Sequence, residues 1–456
     1  MKLLWILISS ALILAACGGG GTTTPTPTPQ PTTLTVAGKV LKWTGKPVAD
    51  VPVFVTDATG SKPQVLSGSD GSFSVANVQK PYSISAVPAA DSGLFPYTVS
   101  QVSITNPQVV LNSGFTPNFG SECNPVPSDT NLNLSFPAVG AGNTAKIYFV
   151  AKGINYTPTN SNKVSAAIPP GTTQQTIPLT FDKNLCLKEL SGKVVYLERD
   201  SSGTILKKGA KDVTLLPGNP SSGSPISITP GNVTDVSFKG TLQLPQGVIS
   251  ASVQLFMKIG SGVDSVYAPI ADASVAAATP SFELKTVNLN DDGISFRVLA
   301  VGSVSWVWSD VFTGSNSNIN LVLPGSSATI TPNGDTPGGN VNPTFSYNPV
   351  NGMNFYNTLL QSSTGGSENW LGGTPQTLIK LPTLSAPAQI ALNKAYKWYP
   401  ITAINLRDAT PENVSDKILD GRAIRHSLFG GNALGEPDLI AAGSTNGTGI
   451  DFKILP

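Results

Sequence analysis

Few side chains in this sequence could do chemistry. Its 456 residues include three cysteines and a single histidine, His426. Nucleophilic catalysis of the Ser-His-Asp or Cys-His type needs an imidazole, so only His426 could serve. It lies in Arg422-Ala-Ile-Arg425-His426-Ser427 with no nucleophile motif beside it, and reads as a surface residue. No Gly-x-Ser-x-Gly elbow, His-Glu-x-x-His pair or phosphate-binding Gly-x-x-x-x-Gly-Lys loop occurs. Two distant cysteines and one histidine make no metal site, and no cofactor is implied. A glycosidase could work with two carboxylates alone, but Asp264, Asp272, Glu283 and Glu368 have no motif around them. Asn288-Leu-Asn290-Asp291-Asp292-Gly293 starts like a calcium loop. The position of the bidentate glutamate is Leu299, so the stretch reads as a turn. An envelope hydrolase is therefore the weakest of the functional readings.

Aromatic residues offer the other chemistry, stacking on a ligand. Trp306 and Trp308 share a strand face with Val304 and Phe312, which predicts core. Trp43, in a turn, and Trp370, beside Glu368-Asn369, sit among polar loop signals and are the candidate ligand-contact aromatics.

The positioning elements are strands. Gly (45) and Pro (38) are abundant and charged residues make up only 12%. That mixture suits short strands and many turns. Lys and Arg (28) nearly balance Asp and Glu (27), which leaves no basic excess for nucleic acid. The expected fold class is all-β: serial antiparallel β-sandwich domains behind a disordered Gly/Thr-Pro linker.

The third kind of chemistry is at Cys17. Lys2 precedes a largely apolar run of about a dozen residues, too short for a spanning helix of roughly 20. Leu14-Ala15-Ala16-Cys17 closes it. The layout is that of an export signal, and the last four residues resemble the bacterial lipobox. The resemblance implies cleavage before Cys17, diacylglycerol on its sulfur and an acylated amino terminus, so that the partner is a lipid bilayer. Gly18 rather than Asp follows, which in the enteric sorting rule favours the outer membrane or cell surface. Residues 1–16 are then signal peptide, and 17–33 a lipidated cysteine with a flexible Thr/Pro linker. The Thr-Pro part, extended at ~3.1 Å per residue, spaces the body from the bilayer by ~30 Å.

In an exported chain the remaining cysteines, Cys123 and Cys186, most simply form one disulfide. It closes a loop of about 60 residues and contributes roughly 4 kcal/mol in the chain-entropy model.

Residues 34–112 read as a β domain. Gly38-Lys-Val40, Gly45-Lys-Pro47-Val48, Val51-Pro-Val53 and Ser69-Asp70-Gly71-Ser72-Phe73 resemble the carboxypeptidase regulatory-like, transthyretin-like sandwich, whose fold carries no catalytic residues. Asp70-Gly71 between strand signals predicts a hairpin. Residues 113–187, with Cys123 and Cys186 near its two ends, read as a small disulfide-clamped β unit. Residues 188–325 read as a second sandwich, since Ser191-Gly192-Lys193-Val194-Val195 echoes the start of the first. Residues 326–340 are a linker. Residues 341–456 resemble a fibronectin type III-like domain through Tyr347 and Tyr396-Lys-Trp398-Tyr-Pro400-Ile401-Thr-Ala403, with Pro400 predicted at a bulge or edge. A short helical insert is expected over 411–429 and a last strand over 450–455.

The expected function is a membrane-anchored, non-catalytic binding, adhesion or scaffold protein of the cell envelope, with envelope glycans or other surface proteins as partners. The narrower alternative is a glycan-binding lipoprotein using exposed loop aromatics.

Overall fold

The computed structural model describes residues 33–42, 45–111, 129–151, 163–179, 189–216, 225–260, 265–303, 305–325, 330–331, 344–347, 349–350, 352–362, 370–376, 378–380, 395–410, 412–419, 439–443 and 450–453. Cys17, Trp43, Cys123, Cys186 and His426 lie outside them.

The fold is all-β. Alternation builds it: in Leu34–Lys42, Val36 and Val40 are buried and Lys39 is exposed, the period of a half-buried strand. This strand pairs antiparallel with Ser72–Val78 and parallel with Gln108–Leu111. Gly38 is needed where it stands, because a Cβ there would collide with the Pro107 carbonyl and the Phe73 ring. The strand echoing it, Leu190–Arg199, carries Gly192 in equally close contact with Val150 and Ala151.

The Asp70-Gly71 turn is not a hairpin. Gly71 has φ 75° and its N–H reaches the Gly68 carbonyl, so the tight turn forms. The flanking segments then part company. Val65–Leu66 pairs with Pro52–Asp57, whereas Ser72–Val78 pairs with Leu34–Lys42 in another sheet. The turn is a corner between sheets, and local Asp-Gly chemistry does not specify which strands pair beyond it.

Strand pairing crosses the segment boundaries read from the sequence. Thr144–Ala151 pairs with both Lys163–Ile168 and Leu190–Arg199. Within the largest sheet, Trp370–Thr374 pairs parallel with Tyr97–Val102, and Ser305–Phe312 pairs with Leu439–Gly443. Some strands of the first segment (Pro52–Asp57, Tyr82–Ala86, Tyr97–Val102), of the middle (Ser250–Ile259, Val266–Ala276, Ile294–Val301, Ser305–Phe312) and of the last thus share one sheet of 14 strands, while Leu34–Lys42, Ser72–Val78 and Gln108–Leu111 form a separate one.

The described residues form several apolar cores. One joins Val36, Val53, Ile84 and Val99 to Phe355, Ile404, Val414 and Ile418 from the far end of the chain. A second lies under Val253–Ile259 and Ile294–Ala300. A third is built from residues 132–228. Of the helical insert expected over 411–429, the described residues hold a turn and a half of helix, Val414–Leu419, whose Val414, Ile418 and Leu419 are buried in the first core; 411 and 420–429 lie outside the described residues. The Pro400 expectation holds. Thr358 faces Pro400 and Asn357 faces Thr402, so Ile401 is the extra residue of a bulge. No helix among the described residues is long and apolar enough to cross a membrane as a helix.

Candidate functional site

Among the described residues there is a cleft of about 810 Å³. The strand Asn316–Val322, at the edge of a three-stranded sheet, forms one wall. The opposite wall comes from Val307–Asp310 and Phe312, with Met353 and Asn405 from the C-terminal part of the chain. Ile319 and Leu321 turn into the core beneath, which leaves Asn318 and Asn320 on the exposed side. Gln243, Asn316 and Asn405 add further carboxamides, while Leu244, Pro245 and Val322 supply apolar surface. Several carboxamides are already oriented: Asn320 Oδ1 accepts from Thr241 Oγ1 at 2.8 Å, and Asn316 Oδ1 accepts from the Asn318 N–H at 2.9 Å. A carboxamide offers two donors and an acceptor, so the lining suits a neutral, polyhydroxylated or peptide-like ligand better than a charged one. Period-two alternation in Asn318-Ile-Asn320-Leu is the signal that could have pointed to this wall, and the sequence reading did not pick it out.

Trp370 is not an exposed platform. It is buried, and its indole N–H donates to Thr98 Oγ1 at 3.0 Å. Strand pairing with Tyr97–Val102 carries it inside, an outcome that the polar residues before it do not reveal. Trp308 is core, as expected, packed edge-on against Phe256 with centroids 4.9 Å apart. Trp306 is half-buried. Asn288–Gly293 is a turn: Asn288 Oδ1 accepts from the Asn290 N–H, Asp292 pairs with Lys208 at 3.0 Å, and Gly293 has φ 71°.

Of the carboxylates, Asp272 is exposed on its strand. Glu283 is held by Lys239 at 3.2 Å and Lys285 at 3.6 Å. Asp264 and Glu368 lie outside the described residues. Two buried carboxylates were not foreseen, and both are structural knots. Burial pushes the Asp57 carboxyl up, but the Gln79 N–H at 2.6 Å, both Thr59 donors and Lys62 at 2.9 Å outweigh it and hold it well below its usual range. At Glu198 burial is likewise outweighed, by Asn143 Nδ2 (2.7 Å), the Gly140 N–H (3.1 Å), Lys207 (3.1 Å) and the Tyr196 hydroxyl (2.9 Å). Its carboxyl falls to about 2. Acids held this firmly ionised make poor proton donors. Among the described residues no three His, Cys, Asp or Glu side chains converge.

What the fold and cleft define is an all-β body with a carboxamide-lined groove. No protein-family model and no curated protein matches the chain. Among solved structures it is similar to the Bacillus anthracis TIE protein (9% identity, TM-score 0.15), over 64% of this chain and 50% of that one, so it spans half the length of that protein. It is also similar to BcpA, the major pilin subunit of Bacillus cereus (10% identity, 64% of this chain, 99% of that one, TM-score 0.15). Shaft pilin SpaA from Lactobacillus rhamnosus GG is similar at 10% identity, over 43% of this chain and 97% of that one, with TM-score 0.15.

Proposed function

We propose that this chain is an exported envelope lipoprotein, held to a membrane through acylated Cys17, whose β body binds or scaffolds rather than catalyses. Anchoring rests on Leu14-Ala15-Ala16-Cys17 closing a short apolar signal. Gly18 favours the outer membrane or cell surface. The observation that carries the binding half is the 810 Å³ cleft with its carboxamide wall. Rigid strand edges hold ligand-facing side chains there without much ordering on binding.

The carboxypeptidase regulatory-like and fibronectin type III-like readings of the two ends belong to this proposal. They are supported by the packed Gly38 and by the Pro400 bulge respectively. So does the Cys123–Cys186 disulfide. It rests on an exported chain with two remaining cysteines most simply pairing them.

A second reading, that the ligand is an envelope glycan, is favoured by the same carboxamides, which match the paired donors and acceptors of sugar hydroxyls. Trp370 takes no part in it. Screening the protein on glycan and peptide arrays, with Asn318→Ala/Asn320→Ala and Trp43→Ala variants, tests both readings. Binding lost in the asparagine variant assigns the cleft. Robust turnover of any arrayed substrate would overturn the non-catalytic reading.

A further inference from the structure

The strand Asn316–Val322 ends its three-stranded sheet and is bonded to Asp235–Gln243 on one side. Residues from both of its faces line the cleft: Asn318 and Asn320 from the outer face, Ile319 and Leu321 from the inner. A cleft with such a lining runs along a strand edge and not over a sheet face.

That edge carries unpaired backbone groups. The Leu323 N–H donates to the Gln243 carbonyl at 2.9 Å. In regular register Ile319, Leu321 and Leu323 therefore direct their N–H and C=O groups at the paired strand. Asn320 and Val322 direct theirs outward, where the described residues supply no ladder partner. The Asn318 N–H is taken by Asn316 Oδ1 at 2.9 Å, and the register shift in this pairing falls before Ile319. Residues 319–322 then run regularly opposite 240–243.

Exposed edges are ordinarily guarded by charged residues, proline or a bulge. The far edge of the same sheet, Ser281–Val287, carries Glu283 and Lys285. Val266–Ala276, an outer strand of the large sheet, carries Pro269 and Asp272. Asn316–Val322 holds no charge and no proline, and Val322 is 56% exposed. The opposite wall is a strand edge as well. Among the described residues Ser305–Phe312 pairs with Leu439–Gly443 only through Ser305, Trp306 and Val307, and the stretch beyond lines the cleft. The one charged side chain among the described lining residues, Asp310, is bonded to Arg407 at 3.0 Å. A neutral cleft along an unguarded edge fits an extended, uncharged polypeptide, whose main chain supplies the missing ladder partners.

We propose that the outer edge of Asn316–Val322 is a strand-addition site, where an uncharged, extended segment of a partner polypeptide pairs with the main chain of Asn320 and Val322 inside the cleft. Side chains on the inner face of the segment meet Val307, Phe312 and Met353, which pack with the second core; those on its outer face meet Asn318 and Asn320. The segment it selects alternates apolar and polar residues. The proposal rests on the cleft being the binding site and names its ligand as a peptide main chain.

Arrayed eight-residue peptides alternating Val with Ser, Thr or Asn, beside versions with Glu or Lys in place of each Val, are probed with the purified full chain. Calorimetric titration measures the binders. The expected result is saturable binding of uncharged alternating peptides and at least tenfold weaker binding of the charged versions. N-methylation of every second amide of a binder abolishes binding in one phase and leaves it within about threefold in the other, since only alternate amides face the edge. Val322→Pro removes an outward N–H and no ladder bond, and weakens binding at least tenfold. Val322→Ala keeps that N–H and weakens binding less than about threefold. The methylation series needs no variant and serves if Val322→Pro does not fold. Equal loss in both methylation phases, or equal affinity of the two Val322 variants, would overturn the proposal. Glycans that bind and are lost in Asn318→Ala/Asn320→Ala, with no peptide bound, would also overturn it and leave the cleft a glycan site. If neither peptides nor glycans bind, the cleft is no binding site and both readings fall. A concentration-dependent dimer of the parent that Val322→Pro abolishes would assign the edge to a second copy and overturn the partner.

Discussion

The Trp370 indole N–H donates to the Thr98 hydroxyl at 3.0 Å, joining residues 272 positions apart. Thr98 also shares a bond with Ser85 Oγ at 2.8 Å, so a short buried chain links three strands. Trp370→Phe keeps an aromatic ring but loses the bond and part of the buried indole's volume, at an expected cost of about 1–3 kcal/mol. Trp370→Ala should cost about 3–5 kcal/mol. Chemical denaturation measures both. An unchanged midpoint in Trp370→Ala would mean that the tryptophan is not buried there.

Asp416 makes a second clasp between chain ends. Its Oδ1 accepts from the Ser103 N–H at 2.6 Å and the Ile104 N–H at 3.1 Å, and the neighbouring Ser415 hydroxyl donates to the Ser100 carbonyl. Asp416→Ala orphans two backbone donors and should destabilise by about 1–3 kcal/mol. Amide hydrogen exchange at 103 and 104 should accelerate in the variant. Equal protection in the variant and the parent would contradict the clasp.

These two clasps mark the limit of what the sequence discloses. Individual elements were legible: the expected last strand is there at Ile450–Lys453, and the Pro400 bulge follows from a proline in a strand pattern. Partners were not. Nothing local in Trp370-Leu-Gly-Gly-Thr says that its neighbour is Tyr97–Val102, because pairing across hundreds of residues depends on the whole packed assembly. Arg297 was equally silent. Period-two alternation places it off the core face, where a charged residue ordinarily meets water, and only the packed structure shows it enclosed.

Acid should loosen the body in a defined window. The Glu198 carboxyl is depressed from 4.5 to about 2 and that of Asp57 lies lower still. A depressed folded-state value stabilises the fold fully above the ordinary carboxylate range. That contribution fades as pH falls from about 4.5 through 2. Urea midpoints should drop across this window. Glu198→Gln should be less stable at pH 7 and show a flatter acid dependence. A parallel pH curve in the variant would remove Glu198 from the account.

Non-reducing digestion of the exported protein should yield one peptide pair linking Cys123 to Cys186. Reduction should lower stability by roughly 4 kcal/mol in the chain-entropy model. Free thiols at both positions in protein from the envelope would contradict the bond.

Presentation at a membrane is the central claim, and metabolic labelling with palmitate tests it most directly. The parent chain should incorporate label and partition into the membrane fraction, with mass spectrometry placing the acyl chains on an amino-terminal Cys17; Cys17→Ser should do neither. No incorporation in the parent, or equal incorporation in Cys17→Ser, would contradict the claim.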